Sequence, residues 1–267
     1  MTWYPATALV AGAVGLVAGA LVPRVIARLP EPAPVPADEP ELVPADDEAH
    51  FARPVDEPKE LYRDLAARAG LRWKLAAACA VAAGLLGARI GWDPALLFLL
   101  YLVPVCVALS VVDWRTRYLP SRLIVPSYLV VGALVLLAAL LLRDWRVLEF
   151  AAIGWLGTFA FYFVLWFVNP RAMAYGDVRL AGLLGMALGA VGIAHLVLGV
   201  FTGFVLLGLG GLLLSLLRVF HRKHMPFGPF MVGGAWLAVI IPLQLAAAYG
   251  WVELTLVSAV GRVVGAF

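Results

Sequence analysis

Two aspartates, Asp113 and Asp177, stand apart from the other acids of this chain. Eleven of its seventeen acids crowd residues 31–64, and four more (Asp93, Asp144, Glu149 and Glu253) fall on the opposite side of the apolar segments. Asp113 and Asp177 each lie where an apolar segment meets a short loop. Two further apolar segments separate them, so a chain running up and down returns the second to the face of the first. Two carboxyls brought together in a low-dielectric setting do not both ionise readily, and one keeps a proton. The ionised member can take a proton from water while the other donates to a carbonyl oxygen. Those are the requirements for hydrolysing a peptide bond with an aspartate pair, with no covalent intermediate, metal or cofactor. A competing reading makes each acid an ordinary interfacial charge, Asp113 balanced by Arg115 and Asp177 by Arg179.

The elements that must position this pair follow from composition. Of 267 residues, 63% are hydrophobic and 14% charged, and the mean hydropathy is +0.94. Soluble domains carry about 25% charged and about 45–50% apolar residues, so this chain needs lipid as its solvent. A spanning helix takes roughly 17–25 apolar residues. Eight stretches qualify: 6–22, 74–90, 95–112, 124–142, 150–168, 179–194, 196–217 and 227–248. The expected fold is all-α and polytopic, with about eight membrane helices. A helix running from 179 to 217 would greatly exceed the bilayer, which places a turn near Gly192–His195. The N-terminal run lacks a basic stretch before it and has arginines after it, which suits a retained span better than a cleaved signal.

Charge gives the sides. With the N-terminus outside, sixteen basic residues fall on the cytoplasmic side, Arg115, Arg117, Arg122, Arg171 and Arg179 among them. Only Arg89, Arg143, Arg146 and Arg262 fall outside. This is a strong positive-inside bias, and it puts both aspartates at the cytoplasmic edge of a cell (inner) membrane. The net charge of +3 is thus explained by orientation, with lipid and not nucleic acid as the partner. Cys79 and Cys106 sit in apolar runs and read as small buried hydrophobes. Trp3, Trp92, Trp145 and Trp251 suit the outer interfacial belt.

The chain divides into a first span with its cytoplasmic segment (1–29), a linker (30–72), a membrane domain (73–250) and a tail (251–267). Residues 30–58 hold eight prolines and a dense run of acids, a composition that cannot bury enough surface to fold alone. This stretch reads either as a solvated tether or as a field that steers a basic substrate. Residues 59–72 read as a short amphipathic helix.

The local sequence around the two acids narrows the chemistry. Asp177 lies in M-A-Y-G-D-V-R-L, with Gly176 before it and a glycine-rich span after it. Asp113 lies in V-V-D-W-R-T-R-Y-L-P, a basic loop closed by Pro120. P-F-G-P-F follows at 226–230, and V-I-A-R-L-P stands at 25–30. Taken in chain order, the four segments resemble the type IV prepilin leader peptidase family. That family has an aspartate followed by a basic loop ending in hydrophobic-Pro, then Gly-x-Gly-Asp running into a basic residue and Leu, then Pro-Phe-Gly-Pro before the last span. The resemblance covers residues 10–248 without the linker. It implies that Asp113 and Asp177 form the catalytic pair, supported by Pro120, Ala174, Gly176, Arg179, Pro226 and Gly228. It also implies a substrate that is a single-span prepilin-like protein, losing a basic leader at the cytoplasmic membrane face.

There are departures. Ala174 replaces the first motif glycine, a mild change unless that position needs a positive φ. Arg179 replaces a lysine, keeping the charge but not the compact ammonium. The loop after the first span has no cysteine, which excludes the zinc-stabilised loop of larger members and puts methylation of the new N-terminus in question. His221 and His224 lie in a basic loop and read as structural. The rival from another class is a non-catalytic membrane component of a pilus or secretion system, a pseudopeptidase or a transporter. A transporter is expected to carry its acids nearer mid-membrane.

Overall fold

The fold is seen in a computed structural model that describes residues 3–31, 61–170, 173–216 and 226–241. The helices are α1 (Pro5–Ala27), α2 (Tyr62–Ala67), α3 (Leu71–Ile90), α4 (Ala95–Thr116), α5 (Ser121–Leu142), α6 (Arg146–Val168), α7 (Tyr175–Val191), α8 (Ile193–Leu216) and α9 (Gly228–Ile240). Six of them are long and apolar enough to cross a membrane: α1, α3, α4, α5, α6 and α8. The expected sixth span is α7, with 17 residues, and the expected last span is α9, with 13 residues among those described. The protein is an all-helical, polytopic membrane protein. Lipid enforces this, because in hydrocarbon every backbone N–H and C=O must find its partner within the segment.

The helices alternate in direction, and that alternation gathers the candidate site residues at one end. α4 and α6 end where α5, α7 and α9 begin, so residues 113–121, 173–179 and 226–230 share one face of the bundle. The opposite face is tied by the N–H of Tyr4 donating to the carbonyl of Ala88 at 2.9 Å. Side chains turned outward are apolar, as in Leu129 (77% exposed) and Phe167 (72%), the inverse of a soluble surface. Trp3, Trp92 and Trp145 are exposed beside the far ends of the helices, where an interfacial belt is expected.

Apart from the C-terminal end of the last span, expected at 248 and seen at Ile240, the expected spans and observed helices agree to within about five residues at their ends. The turn expected near Gly192–His195 falls at Gly192, whose φ of 150° favours glycine and separates α7 from α8. The amphipathic helix expected over 59–72 is shorter, because the chain leaves α2 at Arg68 (ψ 131°) and turns left-handed at Gly70 (φ 75°) before α3. Glu31, grouped by sequence with the linker acids, accepts from the N–H groups of Tyr62 (2.9 Å) and Arg63 (3.0 Å) and so caps α2. Tyr62 and Leu65 are buried in the same core as Val22 and Ile26 of α1. The remainder of the linker, Arg171, His221 and His224, the end of the last expected span, Trp251 and the tail lie outside the described residues.

α7 carries Asp177, and its seam with α6 fixes where that residue stands. A Cβ at Gly154 would run into the carbonyl oxygen of Gly185, and one at Gly185 into the hydroxyl of Thr158. Thr158 itself donates to the carbonyl of Gly154 (2.6 Å) and lies 3.1 Å from that of Ala181. Without a hydrophobic drive between helices in lipid, such close backbone approach is a main source of association. Gly185→Leu is expected to lower stability by at least about 1–3 kcal/mol through overpacking. Gly157→Leu, with open space at its Cβ, is expected to leave it unchanged. Thermal unfolding in detergent distinguishes the two.

Candidate active site

Asp113 sits in the last turn of α4, 5% exposed. The helix closes behind it with Arg117 in the left-handed region (φ 54°), whose N–H donates to the Asp113 carbonyl at 2.8 Å. Glycine is the usual choice there, so an arginine marks a turn imposed by its surroundings. Tyr118, Leu119 and Pro120 then lead into α5, with Pro120 in extended conformation at the N-cap (φ −69°, ψ 116°). Proline biases the residue before it away from helix, which keeps this connection short and open.

The Asp113 carboxylate is held from another element. Its Oδ2 accepts from the N–H of Gly228, the first residue of α9, at 3.0 Å. A helix start leaves its first N–H groups without partners inside the helix. In α9 the second residue is Pro229, which has no N–H, so Gly228 supplies the orphan donor and Asp113 satisfies it. Glycine is required here by space: a Cβ at 228 would stand 2.8 Å from Asp113 Oδ2. Phe227 and Phe230 flank the turn. Phe230 packs against Trp114 with centroids 6.4 Å apart, and Phe227 packs against Tyr162 of α6 at 5.8 Å.

Asp177 solves the same problem on its own helix. It is the third residue of α7, 5% exposed, and its Oδ2 accepts from the N–H of Ala174 at 3.1 Å. Its own N–H donates to the Ala174 carbonyl at 3.0 Å. The start of a helix favours a carboxylate, since unpaired N–H groups and the helix dipole both present positive charge. Ala174 has φ −81° and ψ 150°, ordinary extended backbone, so the alanine that departs from the family glycine carries no strain. Among the described residues, Asp113 and Asp177 are the two buried acids. The others that bond do so as exposed or half-exposed caps: Asp93 to the N–H of Ala95 (2.8 Å), Asp144 to that of Arg146 (3.0 Å), and Glu31 as above.

The two acidic segments touch through their neighbours. A Cβ at Gly176 would stand 2.8 Å from Cβ of Leu119, so the residue before Asp177 lies against the loop that follows Asp113. Arg179 reaches across to α5: its Nη1 donates to Ser121 Oγ, and its guanidinium lies 4.6 Å from the centre of the Tyr175 ring. Tyr128, two turns further along α5, donates its hydroxyl to the Arg179 carbonyl at 2.6 Å. Pro226 is buried just before Phe227 and Gly228. Thus Pro120, Gly176, Arg179 and Gly228 lie at the same end of the bundle as the two aspartates. Sequence reasoning passed over Leu119, Ser121 and Tyr128. Ser121 and Tyr128 are seven residues apart on one face of a mostly apolar span that also carries Arg122 and Ser127, and that spacing was the available signal.

A model of the type IV leader peptidase family matches residues 100–212, which include both aspartates. Three curated relatives bear the name prepilin leader peptidase/N-methyltransferase. The one from Stutzerimonas stutzeri is 27% identical over 177 residues, 63% of this chain and 59% of its own length. That from Aeromonas hydrophila is 34% identical over 161 residues, 56% of this chain and 50% of its own length. That from Burkholderia pseudomallei is 29% identical over 168 residues, 58% of this chain and 49% of its own length. The chain therefore spans half to three-fifths of the relatives it matches. No solved structure gives a significant match.

Gly228→Ala tests the geometry. A hydrogen bond to a charged group contributes about 1.5–3 kcal/mol, and about 1.4 kcal/mol is tenfold in rate. Displacing Asp113 from the Gly228 N–H is expected to slow the chain's reaction by roughly 10–100-fold while the protein still inserts. Full activity in the alanine variant would refute a role for this contact.

Proposed function

We propose that this chain, which belongs to the type IV leader peptidase family, is a membrane aspartic endopeptidase acting through Asp113 and Asp177. One observation carries the reading. The two acids buried among the described residues lie at the same end of the bundle, each held by an N–H at a helix start. An interfacial charge balanced by a neighbouring arginine has no need of burial or of a dedicated backbone donor.

In this reading one carboxylate draws a proton from water, and the water oxygen bonds to the carbonyl carbon of the scissile peptide. The second carboxyl gives its proton to the carbonyl oxygen, and the carbon–nitrogen bond then breaks with the amine taking a proton. The substrate is a single-span, prepilin-like protein with a short basic leader. The site faces the cytoplasm of the inner membrane. That side follows from Arg115, Arg117, Arg122 and Arg179 at the aspartate end, against Arg89, Arg143 and Arg146 at the other. The reading extends to peptide cleavage alone. Methyl transfer belongs to the names of relatives about twice as long as the matched segment.

Co-expression with a type IV prepilin tests it. Asp113→Asn and Asp177→Asn are each expected to reduce leader removal by about a thousandfold or more. The double variant should be no worse than either single one, because residues that act as a unit are not additive. Substantial cleavage by either single variant refutes the pair. The orientation is checked separately with single cysteines: position 115 should be labelled only after the membrane is permeabilised, and position 144 in intact cells. Labelling of 115 from outside would reverse the side assigned to the site.

A further inference from the structure

A groove of about 590 Å³ opens between α3, α4, α7 and α9. Its mouth adjoins the candidate active site. Ser110 in its wall is one turn before Asp113 on α4, and Pro229 directly follows Gly228, the donor to Asp113. From Ser110 the groove follows α4 back to Leu99, about 17 Å at 1.5 Å per residue. That is more than half of a hydrocarbon core of about 30 Å. Its wall is apolar along that length, and the indole N–H of Trp236 is occupied by the carbonyl of Ala82 at 3.2 Å. On the α3 side the wall is small and open, with Ala77, Ala78 and Val81 all exposed.

We infer, building on the peptidase reading, that this groove seats the membrane-spanning helix of the protein being cut. Three features select that occupant. An extended peptide at this depth would meet neither water nor protein donors, and each unsatisfied backbone group would cost several kcal/mol. A helix satisfies its own backbone. Small side chains on α3 let the backbone of an approaching helix come close, and such approach is what drives helix association in lipid. Finally, the groove runs without interruption to the Asp113 end. A helix lying in it therefore ends at the aspartates, where its next residues leave the hydrocarbon and can be extended for attack. A lipid chain meets the apolar demand but gains nothing from the last two features.

The test uses a type IV prepilin with its span intact. A photoreactive benzoylphenylalanine at Val81, in a chain that also carries Asp113→Asn to retain the substrate, is expected to crosslink to the prepilin. The same group at Leu129, on the lipid-facing side of α5, is not. In the active chain, Ala78→Trp and Val81→Trp fill the groove from exposed positions and should raise KM at least tenfold with kcat little changed. If Val81 links only to lipid, to a second copy or to residues 242–267 of its own chain, the groove is not the seat of the substrate helix. Unchanged KM in both tryptophan variants overturns the assignment equally. Failure of the wild-type chain to cut the prepilin refutes the peptidase reading itself, so the two failures are told apart by that single control.

Discussion

A carboxylate buried beside hydrocarbon must be surrounded by donors, and an apolar helical bundle has few to offer. Inside each span every backbone N–H is committed four residues back, and the side chains are aliphatic or aromatic. The exceptions are the first turns of helices, where N–H groups lack a partner. Both aspartates are placed on such groups: Asp177 against the start of its own α7, and Asp113, at the closing end of α4, against the start of α9. Most features of this end of the molecule follow from that demand. Pro229 removes a competing donor, Gly228 leaves room for the carboxylate, and Arg117 accepts a left-handed turn so that α4 can stop just past the acid.

The same demand explains why the segments around the two aspartates come from three distant parts of the chain. α4 cannot cap its own terminal aspartate, because a helix end exposes carbonyls. The donor must come from a helix that starts on that face, and alternation of direction supplies α5, α7 and α9. The loop after α4 then has to be short enough to press Leu119 against Gly176, which brings the start of α7 alongside. Arg179 ties that start to α5 through Ser121, and Tyr128 secures it from below through the Arg179 carbonyl. The long, planar guanidinium can donate to the hydroxyl while lying over the Tyr175 ring, a combination for which a compact ammonium is less suited.

Packing in the membrane supplies the precision. Gly154 and Gly185 let α6 and α7 meet backbone to backbone, with Thr158 bridging them. Where small residues are instead exposed among the described residues, as at Ala77 and Ala78, the bundle shows an open apolar channel rather than a seam. Close contact on one side of α7 and open space beside α3 both arise from short side chains. The difference lies in whether another of the described helices reaches them.

Much of the architecture was legible in the residues. Long apolar runs determine helices in lipid, since no other backbone arrangement satisfies itself there. Their ends, that of the last span apart, could be placed to within about five residues, and Gly192 marked the break between α7 and α8. The isolation of Asp113 and Asp177 at span ends was legible too, because every other acid had a loop or an outer boundary to belong to. Where the charge pattern was read alone it misled: Glu31 was grouped with a solvated linker, yet it caps α2, and α2 itself ends at Ala67 because Gly70 turns the chain. Nothing in the sequence says that the N–H of residue 228 meets the carboxylate of residue 113, that Leu119 rests on Gly176, or that α3 presents an uncovered face. Local composition determines whether a segment is a membrane helix. Which terminus meets which side chain depends on how helices far apart in sequence rotate and slide against one another, and that is settled only when their surfaces pack.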